Sequence, residues 1–319
     1  MLSNHTNVLV TGASGFVGRY LSKTLLIRED VSLTGAVRVV GPYDFPSSVP
    51  VGEINEETDW SLALPNKQVV VHTAARVHIM NDEVADPINA FRQINVAGTL
   101  NLARQSAEAG VRRFLFLSSI KVNGEETPLG TPFTASDSPM PKDDYGTSKM
   151  EAELGLLKIS RETGMEIVII RPPLVYGPGV KGNFATMVEL VKRGVPLPFG
   201  SIRNKRSLVG LDNLVDLVIT CIDHPAAANQ VFLAGDGVDL STTDLFRGIA
   251  GALGKSPRLI PVPPGLLKFG ATMLGKRAVA QRLLGSLQVD ISKARDLLGW
   301  RPPVSVEEGL ASAVRGKVV

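Results

Sequence analysis

The chain has 319 residues, 34 Lys plus Arg against 31 Asp plus Glu for a net charge of +3, and 44% hydrophobic residues. At roughly 100–200 residues per domain, that is about two folding units, each able to bury a core without metal or disulfide staples. The surplus cations are spread along the chain with no dense Lys/Arg run, so neither nucleic acid nor a membrane is an expected partner. A single cysteine, Cys221, allows no intramolecular disulfide and fits a reducing compartment. The polar start, Met1 to Asn7, lacks the cationic and long apolar regions of a signal peptide, so a cytoplasmic location is expected.

Short β-branched runs alternate with amphipathic stretches through the first half, which predicts an α/β fold with a doubly wound parallel sheet. Strands are predicted over residues 7–11, 32–38, 51–54, 68–73, 113–118 and 166–171, nearly continuous in apolar residues as doubly covered strands should be. Helices are predicted over 16–27, over 88–109 with Gly110 as its C-cap, and over 145–162 after Asp143 and Asp144, which suit a helix N-terminus. After Arg171, Pro and Gly become frequent and the alternation loses its spacing. Short helices are expected over 184–193, 212–223, 243–253, 265–274 and 292–298, with a strand near 231–234. Residues 1–171 then make the sheet domain, 206–235 return to it, and 172–205 with 236–319 form mainly a smaller, mostly helical substrate lobe. Such a lobe would sit over the carboxyl ends of the strands, where open α/β sheets bind ligands. The apolar stretch 265–274 is shorter than the about 20 residues a bilayer span needs and is broken by Lys268, so packing against the other lobe is expected.

Directly after the first strand stands Gly12-Ala13-Ser14-Gly15-Phe16-Val17-Gly18. Gly12 allows a tight turn, Gly15 a close approach of backbone to a pyrophosphate, and Gly18 close packing of helix on sheet, while N–H groups at the helix start, Phe16 and Val17, face the anion. This points to a dinucleotide site. Arg38 ends the second strand where an acidic residue would select NAD, so NADP(H) is favoured and NAD(H) is possible. Glu53 and Ile54 close the third strand near the adenine, and Thr73, Ala74 and Ala75 close the fourth with small side chains that leave room for the cofactor.

Tyr145 and Lys149 lie one turn apart on one helix face. A tyrosine near pKa 10 is a poor acid–base group at neutral pH, but a neighbouring ammonium and an oxidised nicotinamide would bring it toward the working range. At the carboxyl end of the fifth strand, Ser119 offers a hydroxyl to a substrate carbonyl or alkoxide. His72 and His78 flank the proposed cleft; a satisfied strand-end residue is the better account of His72, and His78 stays open. His5 and His224 read as surface residues, Cys221 as a buried inert thiol, and no cluster has metal-ligand spacing, so no metal is expected.

In this order, glycine turn, strand-end serine, then Tyr-x-x-x-Lys, the chain resembles the extended short-chain dehydrogenase/reductases of the nucleotide-sugar epimerase and reductase type, which implies a Rossmann fold. The resemblance extends to Asn95-Val96-Ala97-Gly98-Thr99, to Arg171-Pro172-Pro173-Leu174-Val175-Tyr176-Gly177-Pro178-Gly179, and to Leu298-Gly299-Trp300-Arg301-Pro302. It implies that Ser119, Tyr145 and Lys149 are catalytic and that Pro172 and Val175 line the cofactor. It further implies a UDP-sugar substrate whose diphosphate meets Asn183, Arg206 and, on a looser alignment, Arg282, with Leu197 and Phe199 cradling the uracil. A homodimer built on the 88–109 and 145–162 helices is implied as well. Leu174 stands where many epimerases have asparagine, and no Asp-Glu pair follows Ser119, which disfavours dehydratase chemistry. The stretches around Ser119, Ala74 and Arg171 look most like bacterial reductases of UDP-4-keto-6-deoxy-N-acetylhexosamines in surface-polysaccharide synthesis. A UDP-sugar 4-epimerase with bound NAD and a non-catalytic NADP-sensing protein are the alternatives.

Overall fold

The computed structural model describes residues 5–39, 41–43, 45, 47–77, 86–275 and 277–316; His78 lies outside them. The first unit runs β1 (Thr6–Thr11), α1 (Phe16–Leu26), β2 (Val31–Val37), β3 (Ser48–Pro50) and β4 (Val69–His72). It continues through α2 (Pro87–Phe91), a π-helical segment (Arg92–Gly98), α3 (Thr99–Glu108), β5 (Arg113–Leu117), α4 (Asp144–Thr163) and β6 (Glu166–Arg171). Beyond it come β7 (Leu174–Tyr176), α5 (Asn183–Lys192), β8 (Arg206–Gly210), α6 (Leu211–Asp223), β9 (Val231–Leu233) and β10 (Asp239–Leu240). The chain ends with α7 (Thr242–Ala252), α8 (Pro264–Met273), α9 (Arg277–Leu284), α10 (Ser292–Leu298) and α11 (Val306–Arg315).

Seven parallel strands in the order β3-β2-β1-β4-β5-β6-β9 form one sheet, a Rossmann-like α/β arrangement. Val8, Leu9 and Val10 are all fully buried because both faces are covered: Val8 and Val10 share a core with α1 and α6, and Leu9 shares one with α3 and α4. The strand order reverses between β1 and β4, which opens a crevice at the carboxyl ends of those strands. A second sheet, β10-β8-β7, anchors a further core with α5, α7 and α11.

Four expectations need correction. The third strand is Ser48–Pro50, not 51–54: Val51 N still donates to Val37 O at 2.9 Å, but Gly52 at φ +68° turns the chain out of the sheet. The 88–109 helix passes through a π segment, whose Gly98 lies so close to Ile54 that a Cβ would stand 2.7 Å from its Cγ2. The returning segment is split, since β8 joins the small sheet while β9 pairs with β6 in the large one. Helix α8 buries none of its side chains, so its expected burial against the sheet domain is not found; it packs on α9. Among the described residues, no helix is long and apolar enough to cross a membrane.

One buried cation ties β5 to α6. Arg113, 1% exposed, donates through Nε to Glu166 Oε2 at 2.7 Å and through Nη1 to the carbonyls of Cys221, Ile222 and His224 at 2.7, 3.0 and 3.0 Å. A guanidinium there satisfies carbonyls left over at the end of α6 and complements its dipole. Arg113→Met is expected to lower the unfolding free energy by about 3 kcal/mol in urea titrations, because those carbonyls lose a charged donor in a dry site; a change under about 0.5 kcal/mol would contradict this role.

Candidate active site

The turn between β1 and α1 is shaped by what its glycines lack. Gly12 adopts φ +66°, and a Cβ on it would stand 2.8 Å from Ala74 N; a Cβ on Gly18 would stand 2.1 Å from Gly12 O. Gly15 N donates to Gly12 O at 2.8 Å and closes the turn. Helix α1 starts at Phe16 with no side-chain cap and no acidic residue in its first turn, so its N-terminal N–H groups and positive dipole end are available to an anion. Thr73 Oγ1 donates to Thr11 O at 2.6 Å and holds the end of β4 beside the turn, with Ala74 and Ala75 half-buried after it. Side chains would fill this cradle, and its donors suit a pyrophosphate, so these residues fit a dinucleotide. Arg38 is exposed just past β2, and Glu53 is exposed beyond β3 rather than at its end. Pro172 is buried, its carbonyl accepting from Ile120 N at 2.9 Å, and Val175 is half-buried in β7.

The structure places Ser119 near Tyr145, with Lys149 one turn further along the same helix. Ser119 follows β5 and caps a short turn, its Oγ accepting from Lys121 N at 3.3 Å. Helix α4 is started by Asp143, whose Oδ1 accepts from Gly146 N at 2.7 Å, and this places Tyr145 in the first turn, where the nearby Ser119 hydroxyl favours its charged form. Phe91 meets the Tyr145 ring edge-on with centroids 6.0 Å apart. One turn further, Lys149 is 1% exposed, with Nζ 4.0 Å from the centroid of the Phe116 ring. Burial and the charge of Asp143 push the Tyr145 phenol up to about 12, against the lowering pull of the Ser119 hydroxyl. Burial pushes the Lys149 amine down to about 7, against the pull of Glu153. The expectation that Lys149 lowers the tyrosine is therefore not met by the pair alone, because desolvation penalises both charged forms.

Several supporting residues escaped the sequence reading. The Glu153 carboxylate, 3% exposed, takes Nε and Nη2 of Arg171 at 3.0 and 2.5 Å and Ser118 Oγ at 2.5 Å, while Arg171 Nη1 donates to Asn123 Oδ1 at 2.9 Å. The signal was available, since Tyr145, Lys149 and Glu153 repeat every four residues on one helix face. Asn95, in the π segment, accepts from Arg76 N at 2.9 Å and donates to Arg76 O and Ser148 Oγ at 3.0 and 3.1 Å, pinning the chain after β4 to α4. His72 is the satisfied residue anticipated: its ring nitrogens lie 2.6 Å from Thr11 Oγ1 and 3.0 Å from Thr99 Oγ1. Burial and the Lys149 charge drive its pKa down to about 3, so it is neutral. Burial likewise pushes the Cys221 thiol up to about 12.

The substrate-side candidates are more scattered. Asn183 is exposed as the first residue of α5, and Arg282 is exposed on α9. Arg206 is half-buried at the start of β8, Nη1 donating to Gly285 O at 3.2 Å, with its pKa lowered by burial. Leu197 does not offer an open face to a base: it is 7% exposed, its N–H donating to Arg258 O at 2.8 Å. The Phe199 ring is stacked on Phe246, centroids 5.2 Å apart, within the core of the second sheet. Among the described residues no group of His, Cys, Asp or Glu could hold a metal ion.

The seven-stranded parallel sheet and its glycine turn define a dinucleotide-binding, Rossmann-like class of protein. The model of the NAD dependent epimerase/dehydratase family matches residues 8–235, and the chain belongs to that family. It is 52% identical over 304 residues to a UDP-glucose 4-epimerase of Vibrio cholerae, covering 95% of this chain and 93% of that protein. It is 31% identical to a UDP-glucose 4-epimerase of Mycolicibacterium smegmatis, covering 96% of each chain. The crystal structure of UDP-glucose 4-epimerase with UDP-glucose from Thermotoga maritima superposes with a TM-score of 0.76 over 98% of each chain at 25% identity.

The buried amine yields a pH signature. With its pKa at about 7 folded against an ordinary 10.5, Lys149 binds more proton in the unfolded chain between those values. Stability therefore rises with pH across that window, and the penalty is complete below it. Lys149→Met should stabilise the cofactor-free protein near pH 7 by on the order of 2–4 kcal/mol and flatten the rise relative to the parent chain in urea unfolding. Equal pH slopes in the two proteins would contradict the shift.

Proposed function

We propose that the protein is a UDP-hexose 4-epimerase working with NAD held at the β1–α1 turn. The observation that supports this reading is the 52% identity to a UDP-glucose 4-epimerase, in a chain that sets Ser119 just past β5 and Tyr145 and Lys149 one turn apart at the start of α4. The sequence favours an NADPH-dependent 4-ketoreductase through Arg38, Leu174 and the stretches around Ser119, Ala74 and Arg171. The 52% identity to a UDP-glucose 4-epimerase over 95% of this chain outweighs these local signals and favours the epimerase.

Gly12, Gly15 and the first N–H groups of α1 would hold the pyrophosphate, and Lys149 the ribose beside the nicotinamide. Bound NAD supplies the hydride acceptor, and afterwards the hydride donor, for sugar C4. Ser119 donates a hydrogen bond to O4, and Tyr145 takes the O4 proton as the carbonyl forms and returns it once the other face of the ketosugar is presented. A phenol resting at about 12 needs a cation to do this, which Lys149 provides when protonated. Asn183 and Arg206 are assigned to the diphosphate, and pairing of two copies through α3 and α4 is part of the same reading.

Given UDP-galactose and no added reductant, the protein is expected to produce UDP-glucose. Tyr145→Phe should lower kcat by about 10²–10⁴-fold with dinucleotide affinity nearly unchanged. Absence of interconversion, together with NADPH oxidation by a UDP-4-keto-6-deoxy-hexosamine, would overturn the epimerase in favour of the reductase.

A further inference from the structure

We propose that α8 and α9 form a docking surface for an anionic phospholipid bilayer, lying in the interface rather than crossing it. Leu266, Phe269 and Met273 are 62, 66 and 73% exposed and fall at i, i+3 and i+7, on one face of the helix. Leu274 at 75% extends that face past the end of α8, and Val279 on α9 is 50% exposed. Exposed apolar side chains are unremarkable when scattered, but a helix that buries none of its residues and aligns its largest ones on one side is asking for a cover.

Charge identifies the cover. Between Asp244 and Asp290 the chain has seven cations and no Asp or Glu, while the rest of the chain carries a net charge of −4; Arg247 is paired with Asp244, but Lys268 on α8 and Arg277 and Arg282 on α9 have no acidic residue within either helix. The seven cations are spaced too widely to form a dense run, and the whole-chain balance of +3 hides the asymmetry. A second copy seated symmetrically on this face would bring two such basic segments together, an unfavourable contact. An anionic surface instead attracts the segment, orients the negatively charged remainder outward, and takes the apolar stripe into the boundary of its headgroups. Helix α8 has 10 residues, too few for the about 20 needed to span, so it can only lie along the surface. This inference is independent of the sugar chemistry.

The test is sedimentation of the full chain with vesicles of phosphatidylcholine alone and of phosphatidylcholine with roughly one third phosphatidylglycerol. The protein is expected to pellet with the anionic vesicles only, and to be released by high salt. The triple variant Leu266→Ser, Phe269→Ser, Met273→Ser should bind at least about tenfold more weakly, with its thermal midpoint and epimerase turnover unchanged. The pair Lys268→Glu and Arg277→Glu should weaken binding similarly without touching the apolar stripe. No binding to either vesicle, binding indifferent to lipid charge, or a wild-type dimer that the triple variant splits without any vesicle binding would overturn the proposal.

Discussion

Beneath the reactive residues, the carboxylate of Glu153 gathers three parts of the chain at one buried point. It takes the hydroxyl of Ser118 at the end of β5 and two guanidinium nitrogens of Arg171 at the end of β6, and it belongs to α4 itself. Arg171 spends a further nitrogen on Asn123, just beyond the Ser119 turn. The serine, the tyrosine and the lysine come from two different segments, and this pair fixes the angle and depth at which α4 meets the strand ends. Two charges at 3 and 5% exposure contribute little net stability, since desolvation offsets their attraction. What they confer is geometry: removing either leaves the other buried and unpaired, so only one docking of α4 is cheap.

The dinucleotide cradle follows a similar logic with no charge of its own. Gly12 and Gly18 let backbone come where side chains would collide, and α1 leaves its first N–H groups without a cap. Asn95, in the π segment, then bonds the chain after β4 to α4, so the cofactor side and the proton-transfer side share one support. Burial has a cost on that shared support. It holds the Tyr145 phenol high and the Lys149 amine low, so near neutral pH the resting tyrosine is uncharged and the lysine is only part protonated.

Much of this was legible from residue order. The near-continuous apolar strands and the Gly12–Gly18 turn predicted the sheet and its ligand crevice, because their constraints are local. What escaped depended on tertiary partners. Residues 51–54 look suitable for the third strand, but the backbone leaves the sheet at Gly52. The resemblance implies a base-binding face for Leu197, whereas its backbone pairs with the 258–260 stretch and buries it. Strands β7 and β8 are too short for period alone to separate from loop. Glu153 is in step with Tyr145 and Lys149, but a single acidic residue on a helix usually faces water, and only Arg171, coming from another element, makes its burial tolerable.

The central claim, that the buried pair exists to place α4, separates stability from turnover. The measurement is urea unfolding and turnover on Glu153→Gln, on Arg171→Met, and on the doubly apolar Glu153→Leu with Arg171→Met. Each single change should cost about 3–5 kcal/mol, the apolar pair should regain most of that stability, and turnover in the apolar pair should remain at least about tenfold below the parent. An apolar pair that turns over at the parent rate would contradict the account.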